Sequence, residues 1–366
     1  MKNIAINYNS AQYVYLFRLG LIERLKKEKY NVIIICKKDD YIDKLVQLGL
    51  KIETIKLNPT GNNLIAELIY ILSLLKILSK NKISLCLNFT IKPNVYGTIA
   101  ASLLRTRSIS TITGLGTAYT KNGAASIIAR FLYKFSLRYS DMVVFQNKED
   151  RELFLSKKIC SYENSILVPG SGINTSIFKT DKKNTSNKLH FMYIGRLIKE
   201  KGILEFLGAF KKIVKEKKNI QVSIIGGSDH RCPLSEAEIL EYKKKYGFKF
   251  YGNLKDVKKM IEISDCIVLP SYREGTSRVL LEASSLNRPC ITSDVPGCNN
   301  VVIDGYNGFL CRVKSIESLY NSILKFINLK DSERTKMGEN SRIHVKNNFE
   351  EKIVLDAYVS NIGKII

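Results

Sequence analysis

Tryptophan is absent from the 366-residue chain, and histidine occurs only three times, at His190, His230 and His344. These histidines lie far apart in the sequence and lack a spacing typical of zinc ligands. No RNP, zinc-knuckle or helix-turn-helix pattern is present, and without tryptophan the chain lacks one kind of stacking platform for bases. The sequence therefore predicts no metal centre and no nucleic-acid partner.

The eight cysteines form no C-x-x-C pair. Four of them lie in strand-like runs, where a thiol behaves as a small hydrophobic side chain: Cys36, Cys86, Cys266 and Cys290. This scatter argues against a disulfide framework and against a zinc site. We expect reduced thiols and a cytosolic protein.

Long apolar runs are also missing. Stretches such as LIYILSLLK (68–76) are shorter than the roughly 20 apolar residues that a membrane-spanning helix needs. The first residues, 1–8, are typical of a strand, and no signal-peptide cleavage site follows them. We expect a soluble or peripheral protein without an organic or metal cofactor.

Acidic residues are few relative to basic ones: 34 Asp and Glu stand against 58 Lys and Arg, for a formal net charge of +24. Two interpretations stay open. By charge alone, the excess suits an anionic partner, such as nucleic acid, anionic lipid or a phosphorylated ligand, and the missing nucleic-acid motifs argue against the first of these. Alternatively, it reflects lysine-rich, solvated helix faces. The hydrophobic fraction of 45% and the charged fraction of 25% are those of an ordinary globular protein.

Short β-branched runs alternate with segments of helical period along the whole chain, which favours parallel sheets covered by helices on both faces. We interpret 13–28, 63–80, 94–105 and 124–139 as helices of the first half. The predicted strands are 3–8, 31–36, 51–57, 83–88, 108–113, 141–147, 165–169, 189–195, 219–227, 248–253, 265–271, 289–294 and 308–313.

A polar stretch rich in Gly, Ser, Thr, Asn and Lys interrupts this alternation and predicts a linker. We therefore expect an α/β protein of two doubly wound parallel-sheet domains that face each other across a cleft. The predicted boundaries are 1–172 for the first domain, 173–188 for the linker and 189–348 for the second domain. The terminal segment 349–366 is predicted to be a helix that packs back on the first domain.

Two strand ends of the second half carry groups suited to a phosphorylated ligand. IGRLIKEKG (194–202) places Arg196 and Lys201 between a strand and a helix predicted to begin near Glu200. Ligands of open α/β sheets bind at the carboxyl ends of strands, and an Arg with a Lys suits a diphosphate. IIGGS (224–228) contains Gly227, where the backbone is able to approach a ligand closely. The alternative is an ordinary solvated loop with an Arg and a Lys.

YREGTSRVLLEA (272–283) contains Glu274 and Glu282 ahead of and within a predicted helix, 276–287, with Thr276 or Ser277 as its N-cap. If both glutamates were helical, about 12 Å would separate them at about 1.5 Å per residue. Carboxylate pairs that act on one glycosidic bond stand about 5 to 9.5 Å apart. The spacing favours two contacts on one long ligand, and a sugar nucleotide has that length and charge.

These segments resemble a known family. REGTSRVLLEA is similar to the E-x7-E signature of retaining GT-B glycosyltransferases of family 4, and GRLIKEKG resembles their phosphate-binding segment. DVPGCNNVVIDGYNGFL (294–310), TGLGTAYT (113–120) and IKPNVYGTIAA (91–101) resemble further parts of bacterial polysaccharide and undecaprenyl-diphosphate-glycan N-acetylhexosaminyltransferases. The resemblance implies the GT-B fold and sugar transfer from UDP, with no metal or cofactor, to a lipid-diphosphate-linked sugar in O-antigen, surface polysaccharide or glycan assembly.

The resemblance also implies residue roles. Arg196 and Lys201 would neutralise the donor diphosphate, Glu274 would bind the donor sugar, and Glu282 would bind the ribose. The remaining residues expected to contact substrate are Gly275, Thr276, Ser277, Arg278, Asn253, Leu254, Gly227, Gly114, Gly116 and Thr117.

One departure from the family concerns the first domain, where relatives have a histidine near the reacting sugar. All three histidines of this chain lie in the second half, and NFTIKPN (88–94) occupies the corresponding region. We therefore expect Lys92 or Asn94 to face the cleft. A sugar-nucleotide epimerase on the same fold, or a non-catalytic sugar-nucleotide-binding protein, stays open as an alternative.

Two apolar helical segments of the first domain predict contact with an anionic membrane surface, at the inner face of the cytoplasmic membrane. The first is 63–80, and the second is 124–139, in which Arg130, Lys134 and Arg138 recur at spacings of four. A basic amphipathic helix binds in the headgroup plane of anionic lipid. The alternative is that both helices simply cover the first sheet.

Overall fold

The computed structural model describes residues 1–58, 63–115, 124–180, 186–254 and 256–366. They divide into two compact units. Unit 1 comprises Met1–Ser171 and Lys352–Ile366, and unit 2 comprises Gly172–Glu351.

Unit 1 contains, among its described residues, a seven-stranded parallel sheet with the order β3-β2-β1-β4-β5-β6-β7. Its strands are β1 Asn3–Asn7, β2 Asn31–Cys36, β3 Lys51–Thr54, β4 Ile83–Phe89, β5 Arg107–Ile112, β6 Met142–Phe145 and β7 Ser165–Leu167. Strand order reverses between β1 and β4, and ligands of doubly wound sheets bind at such a switch point.

Helices cover both faces of this sheet. They are α1 Ala11–Phe17, α2 Leu19–Lys27, α3 Ile42–Gln47, α4 Leu64–Lys80, α5 Thr98–Leu103, α6 Ala124–Leu137, α7 Lys148–Ser156 and the C-terminal helix Glu351–Ile365. Apolar side chains of α1, α2, α3 and the C-terminal helix share one core with alternate strand residues. Side chains of α4, α5 and α6 pack on the opposite face. Burial on both faces explains why the strands are nearly continuous β-branched runs.

Unit 2 repeats this architecture with a six-stranded parallel sheet among its described residues, in the order β10-β9-β8-β11-β12-β13. The strands are β8 Leu189–Ile194, β9 Ile220–Ile225, β10 Lys249–Phe250, β11 Cys266–Leu269, β12 Cys290–Ser293 and β13 Gly308–Cys311. The helices are α8 Ile203–Glu216, α9 Glu236–Tyr246, α10 Lys258–Glu262, α11 Arg278–Ser285, α12 Ile316–Asn328 and α13 Asp331–Asn348, followed by the C-terminal helix, α14. Here the switch point lies between β8 and β11.

The prediction of two parallel-sheet α/β domains is confirmed, but several element boundaries were wrong. The single helix expected at 13–28 is two helices that meet at Arg18. Arg18 leaves the helical conformation, with φ −130° and ψ 0°. Its buried guanidinium stacks 4.2 Å from the centre of the Phe89 ring. The helix expected at 94–105 covers only Thr98–Leu103 and follows a π-helical turn over Pro93–Gly97.

Candidate active site

The loops that follow the unit 2 strands are tied together at the carboxyl edge of the sheet. Leu197 N donates to Gly227 O at 3.1 Å, which joins the loops after β8 and β9, and Gly226 N donates to Gly252 O at 2.8 Å. A Cβ on Gly226 would lie 1.8 Å from Gly195 O, so this close approach requires glycine. The edge is therefore a braced platform.

Tyr193, at the end of β8, shapes the loop that contains both predicted phosphate-binding residues. Its side chain is fully buried, and its hydroxyl donates to the Arg196 carbonyl at 2.9 Å and to the Lys201 carbonyl at 3.4 Å. Gly202 ends the loop with φ +73°, and a Cβ there would lie 2.0 Å from Pro270 O. The short 3₁₀ turn Lys199–Lys201 precedes α8, which begins at Ile203 rather than near Glu200 as the sequence predicted.

Lys201 and Glu274, 73 residues apart in the chain, form an ion pair between Nζ and Oε1. Their side chains are 24% and 13% exposed. Ser271 Oγ donates to the same carboxylate oxygen at 2.7 Å. The sequence had assigned Lys201 to a diphosphate and Glu274 to a sugar, and the structure brings the two side chains together at the β8–β11 switch point. Arg196, in contrast, is exposed.

The loop that contains Glu274 is held by a second loop after β12. Glu274 N donates to Pro296 O at 3.1 Å, and Ser277 N donates to Gly297 O at 2.9 Å. Gly297 has φ +80°, and a Cβ on it would lie 2.4 Å from Glu274 O. Pro296 and Gly297 belong to segment 294–310, which resembles the family but for which the sequence predicted no role. They position Glu274 and Gly275.

Glu282 lies in α11 and has its own cation partner. Arg278 Nε donates to Glu282 Oε1 at 3.0 Å, and Arg278 Nη1 donates to Gly172 O at 2.6 Å. Burial raises the pKa of Glu282, while the Arg278 charge opposes that rise. The helix begins at Arg278 with Ser277 at the N-cap position, although the Ser277 side chain makes no cap hydrogen bond. Glu274 therefore lies in the loop ahead of the helix, as the sequence predicted, and the distance worked out for two helical glutamates does not apply.

Three other residues predicted to bind substrate lie in loops of unit 2: Thr276, Asn253 and Leu254. Thr276 is partly exposed in the Glu274 loop. Asn253 is exposed after β10, and its Cβ is 3.6 Å from where a Cβ on Gly227 would lie. Leu254 packs against the unit 2 core.

Gly114 belongs to unit 1, where it lines a cavity of about 200 Å³. Gly116 and Thr117 lie outside the described residues.

The same cavity lies at the β1–β4 switch point of unit 1. Its lining comes from the loops after β1, β4 and β5: Asn9, Thr90, Ile91, Lys92, Thr113 and Gly114. Lys92 pairs with Glu67 of α4. Asn94 is fully buried and bonds the Thr111 backbone, with Asn94 Nδ2 to Thr111 O at 2.8 Å and Thr111 N to Asn94 Oδ1 at 3.1 Å. Of the two residues proposed to replace the missing histidine, only Lys92 lines this cavity.

A chain of buried polar groups crosses the sheet next to the cavity. Asn7 Nδ2 donates to Asn88 Oδ1 at 2.9 Å, and Tyr70 Oη donates to Asn7 Oδ1 at 3.2 Å. Asn88 Nδ2 continues the chain to Thr98 Oγ1 at 3.4 Å. A Cβ on Gly97 would lie 2.1 Å from Asn88 Oδ1, so glycine is required there. Fully bonded buried networks rigidify their surroundings, and this one fixes the strand ends below the cavity.

Two helices of unit 1 expose apolar side chains that the sheet does not cover. On α4 the exposed large apolar residues are Leu64, Ile65, Leu68, Ile69 and Leu72, and on α6 they are Ile127, Ile128, Phe131 and Phe135. We call these residues the apolar face of unit 1. Both helices also bury a separate stripe that includes Tyr70, Leu74, Tyr133 and Leu137. Covering the sheet therefore explains only part of their apolar character.

The described residues show neither a metal cluster nor a spanning helix. No group of three or more His, Cys, Asp or Glu side chains within them is arranged to hold a metal ion. None of the helices in the described ranges is both long and apolar enough to cross a membrane. His190 is buried in unit 2, with Nε2 2.7 Å from Ser223 Oγ.

Comparison with known sequences identifies two domain types. Residues 174–344 match the family described as "Glycosyl transferases group 1", and residues 6–147 match "Glycosyl transferase 4-like". The chain is 26% identical over 372 residues to the N,N'-diacetylbacillosaminyl-diphospho-undecaprenol alpha-1,3-N-acetylgalactosaminyltransferase of Campylobacter jejuni, covering 96% of each chain. It is also 26% identical over 344 residues to the UDP-Gal:alpha-D-GlcNAc-diphosphoundecaprenol alpha-1,3-galactosyltransferase of Escherichia coli, covering 89% and 87% of the two chains.

Solved structures with the same fold include two full-length matches. A glycosyltransferase from Rickettsia africae superposes with a TM-score of 0.77 at 18% identity, covering 100% of this chain and 98% of that one. Anabaena Alr3699/HepE in complex with UDP-glucose superposes with a TM-score of 0.79 at 16% identity, covering 100% of both chains. The fold is GT-B.

Proposed function

We propose that this chain, which belongs to the glycosyltransferases that combine a 4-like and a group 1 domain in the GT-B fold, transfers a hexose or N-acetylhexosamine from UDP to a sugar linked through a diphosphate to undecaprenol. Both relatives described above, by their names, act on diphosphoundecaprenol-linked acceptors. The reaction belongs to the assembly of O-antigen, surface polysaccharide or another glycan.

The Lys201–Glu274 pair at the switch point of unit 2 is the observation on which the assignment rests. An exposed Arg196 on the same loop offers a bidentate fork for phosphate. When the donor binds, its diphosphate takes the place of Glu274 as the partner of Lys201. The Glu274 carboxylate then accepts a hydrogen bond from a hydroxyl of the donor sugar, and Glu282 accepts from the ribose. Backbone N–H groups of Gly275, Thr276 and Arg278 contact the sugar and phosphate, while Ser277 N stays bonded to Gly297 O.

Arg196 and Lys201 also assist the chemistry. Charge develops on the diphosphate as the bond to the sugar breaks, and preorganised cations stabilise such developing charge. With two side-chain cations at the diphosphate, no bridging metal ion is needed. We expect full activity in the presence of EDTA.

We propose that the new bond forms with retention, so that an α-linked donor yields an α-linked product. Both relatives are named for α-1,3 linkages, which supports the same outcome here. In this reaction the leaving phosphate deprotonates the attacking hydroxyl on the same face of the sugar. NMR of the purified product measures the anomeric configuration of the new bond, and a β-linkage would refute retention.

A donor panel tests the proposed transfer. The protein is incubated with a short-chain lipid-diphosphate sugar and, in turn, with UDP-linked hexoses and N-acetylhexosamines, and nucleotide release is measured with and without acceptor. We expect acceptor-dependent release of UDP from one donor. The Lys201→Ala variant should lose this release, whereas Lys199→Ala, an exposed lysine on the same loop, should retain it. Formation of a free epimer, or binding without turnover, would contradict transfer.

The proposal includes attachment of unit 1 to the inner face of the cytoplasmic membrane through its apolar face. Exposed apolar side chains on α4 and α6 offer area for burial among acyl chains. Lys134 and Arg138 are exposed beside those on α6, and Arg130 is partly exposed. Near an anionic surface each cation contributes about 1 kcal/mol. A lipid-linked acceptor requires such a location, because its reacting sugar stays close to the bilayer.

Co-sedimentation with vesicles tests this surface. Wild type should bind anionic vesicles at low salt and release at high salt, because the Debye length shrinks. The Arg130→Glu/Lys134→Glu/Arg138→Glu variant should lose binding. A variant with the same charge change on α9 of unit 2, Lys243→Glu/Lys244→Glu/Lys245→Glu, serves as the control and should bind more strongly than the first. Equal binding by the two variants would refute the assignment of the membrane face to unit 1.

A further inference from the structure

Tyr272 joins the two loops that contain the Lys201–Glu274 pair. Its backbone N donates to Glu200 O at 2.9 Å, and its hydroxyl donates to Glu205 Oε1 at 2.7 Å. Glu200 precedes Lys201 in the loop after β8, and Glu205 lies in the first turn of α8. Tyr272 itself lies just ahead of Glu274 in the loop after β11. One residue therefore bonds the chain on both sides of Lys201.

The Glu205 carboxylate depends on this bond. Glu205 is only 8% exposed, and its second oxygen, Oε2, is buried and makes no hydrogen bond to a described residue. A buried carboxylate that lacks hydrogen-bond donors destabilises a fold. Loss of the Tyr272 hydroxyl would leave both oxygens without a side-chain donor in the described part of the chain, so the bond resists separation of the two loops.

The Tyr272 side chain is fixed in two further ways. Burial, together with the bond to Glu205, raises the pKa of Tyr272, so the hydroxyl keeps its proton and remains the donor. Lys314, in the loop after β13, places Nζ 5.2 Å from the centre of the tyrosine ring. A cation over an aromatic face is attracted to it. Loops that follow β8, β11 and β13 therefore meet at this one side chain.

The proposed donor places a requirement on these loops. Lys201 is proposed to bind the diphosphate and Glu274 the sugar, and the bond that breaks lies between those two parts of one molecule. Both residues lie beyond the ends of β8 and β11, so the pairing of the strands does not fix their separation. A small displacement of a group that contacts the reacting atoms slows a reaction strongly. A contact between the loops has to hold the two side chains in place.

We propose that Tyr272 and Glu205 are positioning residues of the donor site, and that their bond sets the separation of Lys201 and Glu274. Neither of the two is proposed to touch the donor. Tyr272 acts through the Glu274 loop, and Glu205 acts through the start of α8. When the donor replaces the ion pair, the Tyr272–Glu205 bond stays in place and keeps Lys201 at the diphosphate and Glu274 at the sugar. This inference rests on the proposed transferase function.

Kinetics of variants at the two positions test this role. Tyr272→Phe removes only the hydroxyl, and Glu205→Ala removes its acceptor. Each should lower kcat about 10-fold, whereas the dissociation constant for UDP should change less than about twofold, because Lys201 is retained. Glu205→Gln keeps an oxygen that accepts from Tyr272 and should restore kcat to within about threefold of wild type. The double variant Tyr272→Phe/Glu205→Ala should be no slower than the slower single variant, because both changes remove one bond.

Tyr320→Phe provides the matched control. Tyr320, in α12, donates its hydroxyl to Glu216 Oε2 at 2.6 Å, and Glu216 is the last residue of α8. The same type of bond therefore occurs at the opposite end of the same helix, and its loss should leave kcat unchanged. An unchanged kcat in Tyr272→Phe, or an equal loss in Tyr320→Phe, overturns the proposal. If Tyr272→Phe does not fold, Glu205→Gln and Glu205→Ala decide, and equal rates in those two overturn it.

Donor binding gives a second measurement that does not depend on transfer. UDP, UDP-galactose and UDP-N-acetylgalactosamine are titrated calorimetrically, and the gain in affinity of a UDP-sugar over UDP measures the contact between Glu274 and the sugar. Wild type and Tyr320→Phe should show this gain for one of the sugars, and Tyr272→Phe should lose most of it. No gain in wild type overturns the positioning role, whether or not transfer occurs.

The two measurements separate the failure of this inference from the failure of the proposed function. If wild type transfers no sugar to any lipid-diphosphate acceptor but Tyr272→Phe loses the affinity gain, the proposed function fails and the positioning role stands. If wild type transfers sugar while Tyr272→Phe keeps both the gain and the wild-type kcat, the positioning role fails and the function stands.

Discussion

Replacing Glu274 by Gln should strengthen UDP binding and slow sugar transfer. The carboxylate pairs with Lys201 in the ligand-free protein, so it competes with the donor diphosphate for that ammonium. Glutamine keeps the size of the side chain and removes its charge. We therefore expect Glu274→Gln to bind UDP more tightly than wild type and to transfer sugar more slowly.

The size of both effects follows from the contacts. The side chains of Lys201 and Glu274 are 24% and 13% exposed, so the pair is partly buried. We take for it the about 0.2 to 1 kcal/mol that surface ion pairs contribute. Release of Lys201 at the upper end of that range tightens UDP binding about fivefold. A hydrogen bond to a charged group contributes about 1.5 to 3 kcal/mol, so its loss in the transition state should slow turnover about 10- to 100-fold.

Glu282→Gln provides the contrast. Glu282 pairs with Arg278 rather than with Lys201, and the ribose it is proposed to bind does not change during the reaction. Uniform binding of an unreacting group affects KM rather than kcat. This variant should weaken UDP binding and leave kcat near the wild-type value. Calorimetric titration with UDP and steady-state kinetics measure both quantities. Weaker UDP binding by Glu274→Gln, or the same profile for both variants, would refute the division of roles.

Three further outcomes follow from the packing. Tyr193→Phe removes the hydroxyl that holds the loop of Arg196 and Lys201. It should raise the dissociation constant for UDP about fivefold, which corresponds to about 1 kcal/mol. Unchanged UDP affinity would contradict this positioning role. Gly97→Ala places a Cβ 2.1 Å from Asn88 Oδ1 and should lower the stability of unit 1 by about 1 to 3 kcal/mol, seen as a lower melting temperature. Burial lowers the pKa of His190, so below about pH 6.5 the unfolded chain binds a proton that the folded chain does not. The stability of unit 2 should therefore fall as the pH drops below that value. His190→Gln should flatten this pH dependence in thermal melts, and an unaltered slope would contradict it.

The sequence predicted the sheets more reliably than the site. Strand–helix alternation indicates parallel sheets because apolar strands must be covered on both faces, and both sheets are confirmed. The helix break at Arg18 was not predictable from period alone. It depends on the tertiary contact between the Arg18 guanidinium and the Phe89 ring, 71 positions later in the chain.

Distances between the site residues could not be predicted from the sequence for the same reason, because they depend on tertiary structure. Lys201 and Glu274 meet because β8 and β11 are neighbours in the sheet, and no local spacing encodes that neighbour relation. The sequence placed Glu274 in the loop ahead of a helix, but it gave no sign that Pro296 and Gly297 hold that loop. The sequence drew attention to segment 88–94 and to Lys92, which lines the cavity of unit 1, but it did not show that Asn9 lines the same cavity.

The mass of the lipid product tests the central proposal most directly. The protein is incubated with a UDP-sugar and a short-chain analogue of an undecaprenyl-diphosphate-linked sugar. The lipid fraction is then analysed by mass spectrometry. We predict that the acceptor gains the mass of one hexose or N-acetylhexosamine residue, with one UDP released for each. The gain should disappear in Arg196→Ala/Lys201→Ala and persist in Lys199→Ala. Release of UDP with an unchanged lipid mass across the donor panel would contradict transfer to a lipid-diphosphate-linked sugar.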